Sequence, residues 1–400
     1  MREAAIVATA RTPIGKAHRG VYNDTDAPVL AGHVLRAAID RSGVDSVRIE
    51  DVALGCGVQW GSSGGNVART AIFAAGLPQS IPGTSLDRQC GSDLTAMAYA
   101  ARGIISGDLD VAMSGGVETI SLTRNSHTPT FRAQPAAVVA HEPHAYMAMI
   151  ETAEIVADRY GVSREAQDRF AAQSQQRAAA ARDAGHFAAE IAPITVTQQL
   201  IERDGSVSGE REVTVTDDEG IRSGTTYEAL AALKPVWRDG QVIREGRFVT
   251  AGSASQLSDG AAAQMLMDHA TAEREGVPVL GLFRGFQAAG CAPDEMGIGP
   301  VFAIPKLLAK AGLEVDDIDL WEINEAFASQ LLYCRDALGI DPARLNVSGG
   351  AIALGHPFGM TGSRLVGHAL IEGKRRGARY AVVSMCIAGG MGAAALLEIS

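Results

Sequence analysis

The chain has 400 residues, 46% hydrophobic and 20% charged, long enough for two or more buried cores. Its net charge of −11 argues against a nucleic-acid or anionic-membrane surface, while a local Arg or Lys can still receive an anionic small molecule. Five cysteines, widely spaced and without a CxxC, argue against a disulfide framework or a zinc site and point to reduced thiols in the cytoplasm.

The first apolar run is too short for a signal peptide, and no stretch reaches the length needed to span a membrane. Residues 4–8 read as a strand, 28–38 as a helix, 51–56 as a strand and 66–75 as a helix. Residues 84–86 lead into Cys90 and a helix, and 110–115 read as a strand ending in glycine. This βαβ rhythm predicts a parallel or mixed sheet covered by helices. The rhythm breaks near Ser121 and resumes after Gly276. The interval is polar and turn-rich, and it reads as an inserted loop domain. It holds one long helix, with Ser163 as N-cap and Gly185 as stop. Beyond it, VPVLGLFRGF is a strand, a helix starts near Pro300, DIDLWEIN is strand-like and ALLEIS closes the chain. VRIEDVALGCG echoes EVDDIDLWEIN, and the strand ending in SGG echoes AVVSMCIAGG, so two similar α/β halves are expected.

Four polar stretches stand out. Cys90 precedes a helical pattern, where helix N-terminal charge is expected to lower a thiol's pKa, with Asp93 slightly opposing it. In WEINEAFASQ, Asn324 and Glu325 fall at the C-terminal end of a strand, where α/β sheets place chemistry. His356 lies in a Gly-rich turn fixed by Pro357 and suits an oriented base. Cys386 follows a strand and precedes glycines, whose N–H groups can line a cleft. Together these residues form a coherent set for acyl transfer.

The ordered stretches ARTPIGK, CGSDLTA, GGVETIS, SREAQDRFAAQSQQRA, TAGSASQLSDGAAA, NEAF, GGAIALGHPFGMTG and CIAGGMGAA resemble the thiolases from Ala10 to nearly the last residue. The resemblance implies the α/β thiolase fold: two similar βαβαβαββ halves in a layered α-β-α-β-α core with an inserted loop domain. The boundaries expected are 1–121 with 248–275 for the N-terminal half, 122–247 for the CoA-side loop domain and 276–400 for the C-terminal half. The implied chemistry is thiolysis of 3-ketoacyl-CoA, or the reverse Claisen condensation. Cys90 would be the acylated nucleophile, His356 its activator and Cys386 the second acid/base. Asn324 would hold a water that forms one oxyanion hole with His356 Nε2, and the N–H groups of Cys90 and Ala388 would form the other. Met149, Arg222, Trp237, Ala251, Ser255, Ala326 and Phe327 would meet CoA, the co-substrate. No permanent cofactor, metal, nucleic acid or membrane partner is implied, and a homodimer or homotetramer is.

Several positions depart from the family's pattern. Asp93 and Ala388 stand where glycine is usual, Ile150 also replaces a glycine, Asp87 and Ser253 replace asparagines, and Ala148 replaces a polar residue. Asp93 adds a charge near the acyl pocket, and Ala388 would resist a positive φ. These two support an alternative: a degenerate thiolase that binds acyl-CoA or serves as a scaffold without catalysis. The second cysteine and the asparagine disfavour a two-histidine condensing enzyme, and the absence of GxGxxG after a first strand excludes a nicotinamide-binding protein.

Overall fold

The computed structural model describes residues 2–400. The N-terminal half contains β1 (Ala4–Arg11), β2 (Gly15–Lys16), α1 (Ala27–Ser42), β3 (Asp51–Gly55), α2 (Val67–Ala74), β4 (Gly83–Leu86), α3 (Ser92–Ser106) and β5 (Val111–Thr119). An excursion follows, with α4 (Ile120–Thr123), α5 (Ala136–His141), α6 (Met149–Arg159), α7 (Arg164–Asp183), a ribbon of β6 (Ile194–Ile201) and β7 (Val207–Val215), and α8 (Tyr227–Ala231). β8 (Ser258–Asp268) returns to the sheet and α9 (His269–Glu275) leads out. The C-terminal half is β9 (Gly281–Gly290), α10 (Gly299–Ala311), β10 (Leu320–Ile323), α11 (Ala328–Leu338), α12 (Ala351–Leu354), α13 (Thr361–Arg376), β11 (Tyr380–Ile387) and β12 (Met391–Ile399).

Local chemistry sets several of these boundaries. Pro28 sits in the first turn of α1, and Gly43, left-handed at φ 67, ends it. The Ser163 hydroxyl accepts from Ala166 N at the start of α7, as its sequence signature predicts. Two strands outrun their apolar cores. β1 continues through Arg11, whose buried guanidinium pairs with Asp218 at 2.7 Å. β5 does not stop at glycine. A Cβ at Gly115 would overlap the Ala262 carbonyl, and one at Gly116 the Gly359 carbonyl, so these glycines serve close packing rather than a turn.

The layers follow from strand alternation. In β5, Val111, Met113 and Val117 face α1 and α2, while Ala112 faces α3 and α13. In β11, Ala381, Val383, Met385 and Ile387 face that same helix pair, and Val382 faces α10 and α11. The order is therefore helix, sheet, helix, sheet, helix, with α3 and α13 at the centre. Strand order repeats between the halves: β1-β8-β5-β3 in one, β9-β12-β11-β10 in the other. The pairing senses match as well: antiparallel, antiparallel, parallel. The expected echo is thus structural, with β3 matching β10 and β5 matching β11. Two residue pairs, Ala5 with Leu282 and Ile6 with Gly281, join the halves through β1 and β9.

Candidate active site

The site lies where α3 and α13 begin. Between β4 and α3 the chain makes a tight turn in which Gln89 adopts a left-handed φ of 47, uncommon for a residue with a side chain. Ser92 fastens it, accepting from Arg88 N at 2.8 Å and donating to Gln89 O at 2.6 Å, and Asp87 Oδ1 accepts from Gln89 N at 2.6 Å. This turn presents Cys90 with one partly open face. The N–H groups of Ala388 and of Cys90 itself both act on the sulfur. They do not overcome the surrounding protein, and burial pushes the thiol up to about 12. The expectation of a lowered thiol pKa is therefore overturned: desolvation outweighs the helix terminus, and Cys90 rests as a thiol that needs a base.

His356 can be that base. It is buried and held neutral, its pKa lowered to about 3 by desolvation and by the Arg364 cation. Its tautomer follows from its neighbours. The Thr361 hydroxyl donates to Pro357 O at 2.8 Å, so His356 Nδ1–H donates to Thr361 Oγ1 at 2.7 Å. Nε2 is then a lone pair, and Asn324 Nδ2 donates to it at 3.2 Å. Asn324 follows β10, is fully buried, and donates its backbone N–H to Ser384 O at 2.9 Å.

Cys386, near the end of β11, is buried against Ala153, Val249, Met296, Ala326 and Phe327. Burial, reinforced by Cys90, holds its thiol well above the ordinary value. Ala388 is not in the left-handed region; Gly389 and Gly390 take φ values of 81 and 80 instead. Its methyl therefore imposes no backbone strain, contrary to expectation. Asp93 is fully buried, its carboxyl oxygens accepting from backbone N–H groups of α3 and α13, and burial pushes it up to about 8, so the charge expected at this position is largely suppressed.

A cavity of about 440 Å³ opens beside the site, lined by Arg222, Ala251, Ser255 and Ile150 among others. Met149, Ala326 and Phe327 belong instead to the apolar cluster around Cys386, which Ile150 also joins. Trp237 does not line the cavity; its indole N–H donates to Ile243 O at 3.0 Å. The wall between cavity and catalytic loops is the segment 250–257. Ser255 donates to Ala326 O through its backbone N–H at 3.0 Å and its hydroxyl at 3.1 Å, and Gln256 O accepts from His356 N at 3.1 Å.

Sequence reasoning gave no role to several supporting groups. Glu118 accepts from Gly57 N and Gly359 N, each at 2.9 Å, and from Val58 N at 3.2 Å, clasping the His356 loop. Glu325 joins Ser174 of α7, Asn346 and Ile352 N at 2.7, 2.9 and 3.1 Å. Phe358 meets His356 edge-to-face at 5.2 Å and carries Arg124 over its ring at 5.0 Å. In the sequence, Glu118 and Thr361 are marked only by lying within the Gly-rich stretches GGVETIS and HPFGMTG.

Two α/β halves, with a thiol at the start of α3 and a neutral imidazole, an amide and a second thiol from the C-terminal half, form an arrangement suited to acyl transfer. The chain belongs to the thiolase family: the profile described as "Thiolase, N-terminal domain" matches residues 4–270, and "Thiolase, C-terminal domain" matches 277–399. It is 45% identical over 399 residues to the peroxisomal 3-ketoacyl-CoA thiolase B of Rattus norvegicus, covering 99% of this chain and 91% of that protein. It is 44% identical over 401 residues to the 3-ketoacyl-CoA thiolase of Bacillus subtilis (strain 168), covering 100% of both. Among solved structures, human mitochondrial 3-ketoacyl-CoA thiolase superposes with a TM-score of 0.86 at 36% identity, covering 100% of this chain and 99% of that one. The dimeric peroxisomal thiolase of Saccharomyces cerevisiae gives 0.86 at 38% identity, covering 100% and 97%.

Proposed function

We propose that this thiolase cleaves 3-ketoacyl-CoA through an acyl-Cys90 intermediate, in fatty-acid β-oxidation. The Cys90 proton passes to His356 Nε2, and the sulfur attacks the 3-keto carbon. The oxyanion formed there meets the N–H groups of Cys90 and Ala388. The C2–C3 bond then breaks, leaving the acyl group on Cys90 and an acetyl-CoA enolate. Its oxygen is met by His356 Nε2–H, now protonated, and by the Asn324 amide, directly or through a water. Cys386 gives its proton to C2, and acetyl-CoA departs. The Cys386 thiolate deprotonates incoming CoA, whose sulfur takes the acyl group while Cys90 recovers its proton from His356. One donor aimed at a developing oxyanion contributes about 3–4 kcal/mol to such a step. The observations that carry this reading are a neutral His356 whose Nε2 is an acceptor facing the Asn324 amide, and a protonated Cys90 thiol under two N–H groups. No relative supports the non-catalytic alternative.

CoA is proposed as co-substrate in the 440 Å³ cavity, with Arg222 at the rim; one solved relative is the human mitochondrial enzyme in complex with CoA. We assign no permanent cofactor. The loop domain is proposed to span 122–247, between halves formed by 1–121 with 248–275 and by 276–400. Self-association is proposed, as a dimer or tetramer; the peroxisomal thiolase of Saccharomyces cerevisiae is dimeric. A cytoplasmic location rests on cysteine usage, and the rat relative is named peroxisomal; cell fractionation decides. The central test mixes the protein with acetoacetyl-CoA and reads intact mass. Wild type gains an acetyl group and Cys90→Ala gains none, with thiolysis falling by more than about a thousandfold. An adduct that persists in Cys90→Ala refutes the assignment.

A further inference from the structure

We propose that Asp93 is a positioning residue that sets the nucleophile and its base against each other. The inference rests on the Cys90–His356 reading above. Asp93 is the second residue of α3, three after Cys90. Its Oδ1 accepts from Leu94 N at 2.8 Å, and its Oδ2 accepts from Ser363 N at 2.5 Å. Ser363 is the third residue of α13; two residues earlier, Thr361 holds His356 Nδ1 at 2.7 Å. One carboxyl group thus ties the first turn of the helix behind the thiol to the first turn of the helix behind the imidazole.

The niche is shaped for this side chain. A Cβ at Gly116 would lie 2.6 Å from Asp93 Cβ, and one at Gly362 would lie 2.7 Å from Asp93 Oδ1. Gly55 has no room for a Cβ against the Asp93 backbone nitrogen. Asp93 is wholly buried, so the carboxyl group does not contact the acyl pocket, and any effect on the reaction passes through the two helices. A glycine at this position cannot form the link. Burial raises the Asp93 carboxyl to about 8, so the tether holds as a largely protonated group that still accepts from two backbone N–H groups.

The test compares wild type, Asp93→Gly and Asp93→Asn as full-length proteins. It reads kcat and KM for acetoacetyl-CoA thiolysis, the single-turnover rate of Cys90 acylation, and the melting temperature. Asp93→Gly is expected to lower kcat and the acylation rate about tenfold or more, with KM nearly unchanged, because a small misplacement of reacting groups is costly. Asp93→Asn, which keeps an acceptor for Ser363 N, recovers most of the rate. Where Asp93→Gly does not fold, Asp93→Ser takes its place: it is too short to span both helices, and the same rate loss is expected. Wild-type kcat in the glycine or serine variant, or a lower melting temperature without a change in acylation, overturns the proposal. Absence of acylation in wild type itself instead refutes the Cys90 reading on which it rests.

Discussion

At the scale of residues, the site works by desolvation. Cys90 at about 12 and His356 at about 3 lie on the sides of neutrality that keep both uncharged, so the resting pair is thiol and imidazole, not thiolate and imidazolium. With the His356 pKa lowered by burial, kcat is expected to stay level between pH 7 and 5 in a pH–rate profile; a fall with a midpoint near 6.5 contradicts this. For free Cys90, the thiolate fraction rises about tenfold per pH unit through pH 9. Iodoacetamide labelling of Cys90, followed by peptide mass, should rise with pH without levelling; a plateau below pH 8 contradicts this. Thr361 has a matching role at the imidazole's other face. Thr361→Val removes the oxygen that accepts from Nδ1 and leaves the tautomer free, so kcat should fall about tenfold or more while Thr361→Ser retains it. Sequence alone placed Cys90, His356, Asn324 and Cys386 at strand ends or Gly-rich turns, because glycine and polar residues interrupt apolar runs there. It misjudged the protonation of Cys90, because the burial of a sulfur is set by apolar residues brought against it from distant elements, here the cluster of α3, α13 and β11.

At the scale of elements, the catalytic loop is held by close backbone approach. A Cβ at Gly359 would lie 2.6 Å from Cys56 Cα and 2.9 Å from Gly57 N, atoms that Glu118 has already fixed. Gly359→Ala should therefore shift the His356 loop, costing about 1–3 kcal/mol of stability in a urea melt and depressing kcat further than the stability loss explains. Strand and helix identities were legible from period and caps, as at Ser163 and Pro28. Strand ends were not. Arg11 and Thr9 in β1 look like surface residues, yet both are buried because partners far along the chain satisfy them. Trp237, which the thiolase resemblance assigned to CoA, has its indole N–H satisfied locally by Ile243 O at 3.0 Å, a bond between residues six apart that composition does not reveal.

At the scale of the whole molecule, buried charges fasten the inserted segments to the core. Arg11 on β1 faces Asp218 at 2.7 Å and Glu190 at 3.4 Å, both from the excursion after β5, and Glu190 also meets His368 of α13 at 3.2 Å. Removing the cation leaves buried Asp218 with only the Ile14 N–H among these contacts and Glu190 with His368 alone. Arg11→Met should cost about 3–5 kcal/mol, read as a lowered urea midpoint. Glu190 is depressed to about 2 by Arg11 and His368, outweighing its own burial. Its contribution is thus present above the unfolded value near 4.5 and lost as pH falls toward 2. The repeated strand order carries a further consequence. In the shared register, Gly55 pairs with Gly116 and Ile323 with Ser384, so Cys56 corresponds to Asn324 and Glu118 to Cys386. Glu118 lies opposite Gly260, as Cys386 lies opposite Gly392. The same two addresses thus carry opposite trades: the C-terminal half fills them with an amide and a thiol, and the N-terminal half with a buried thiol and a carboxyl group that clasps the His356 loop.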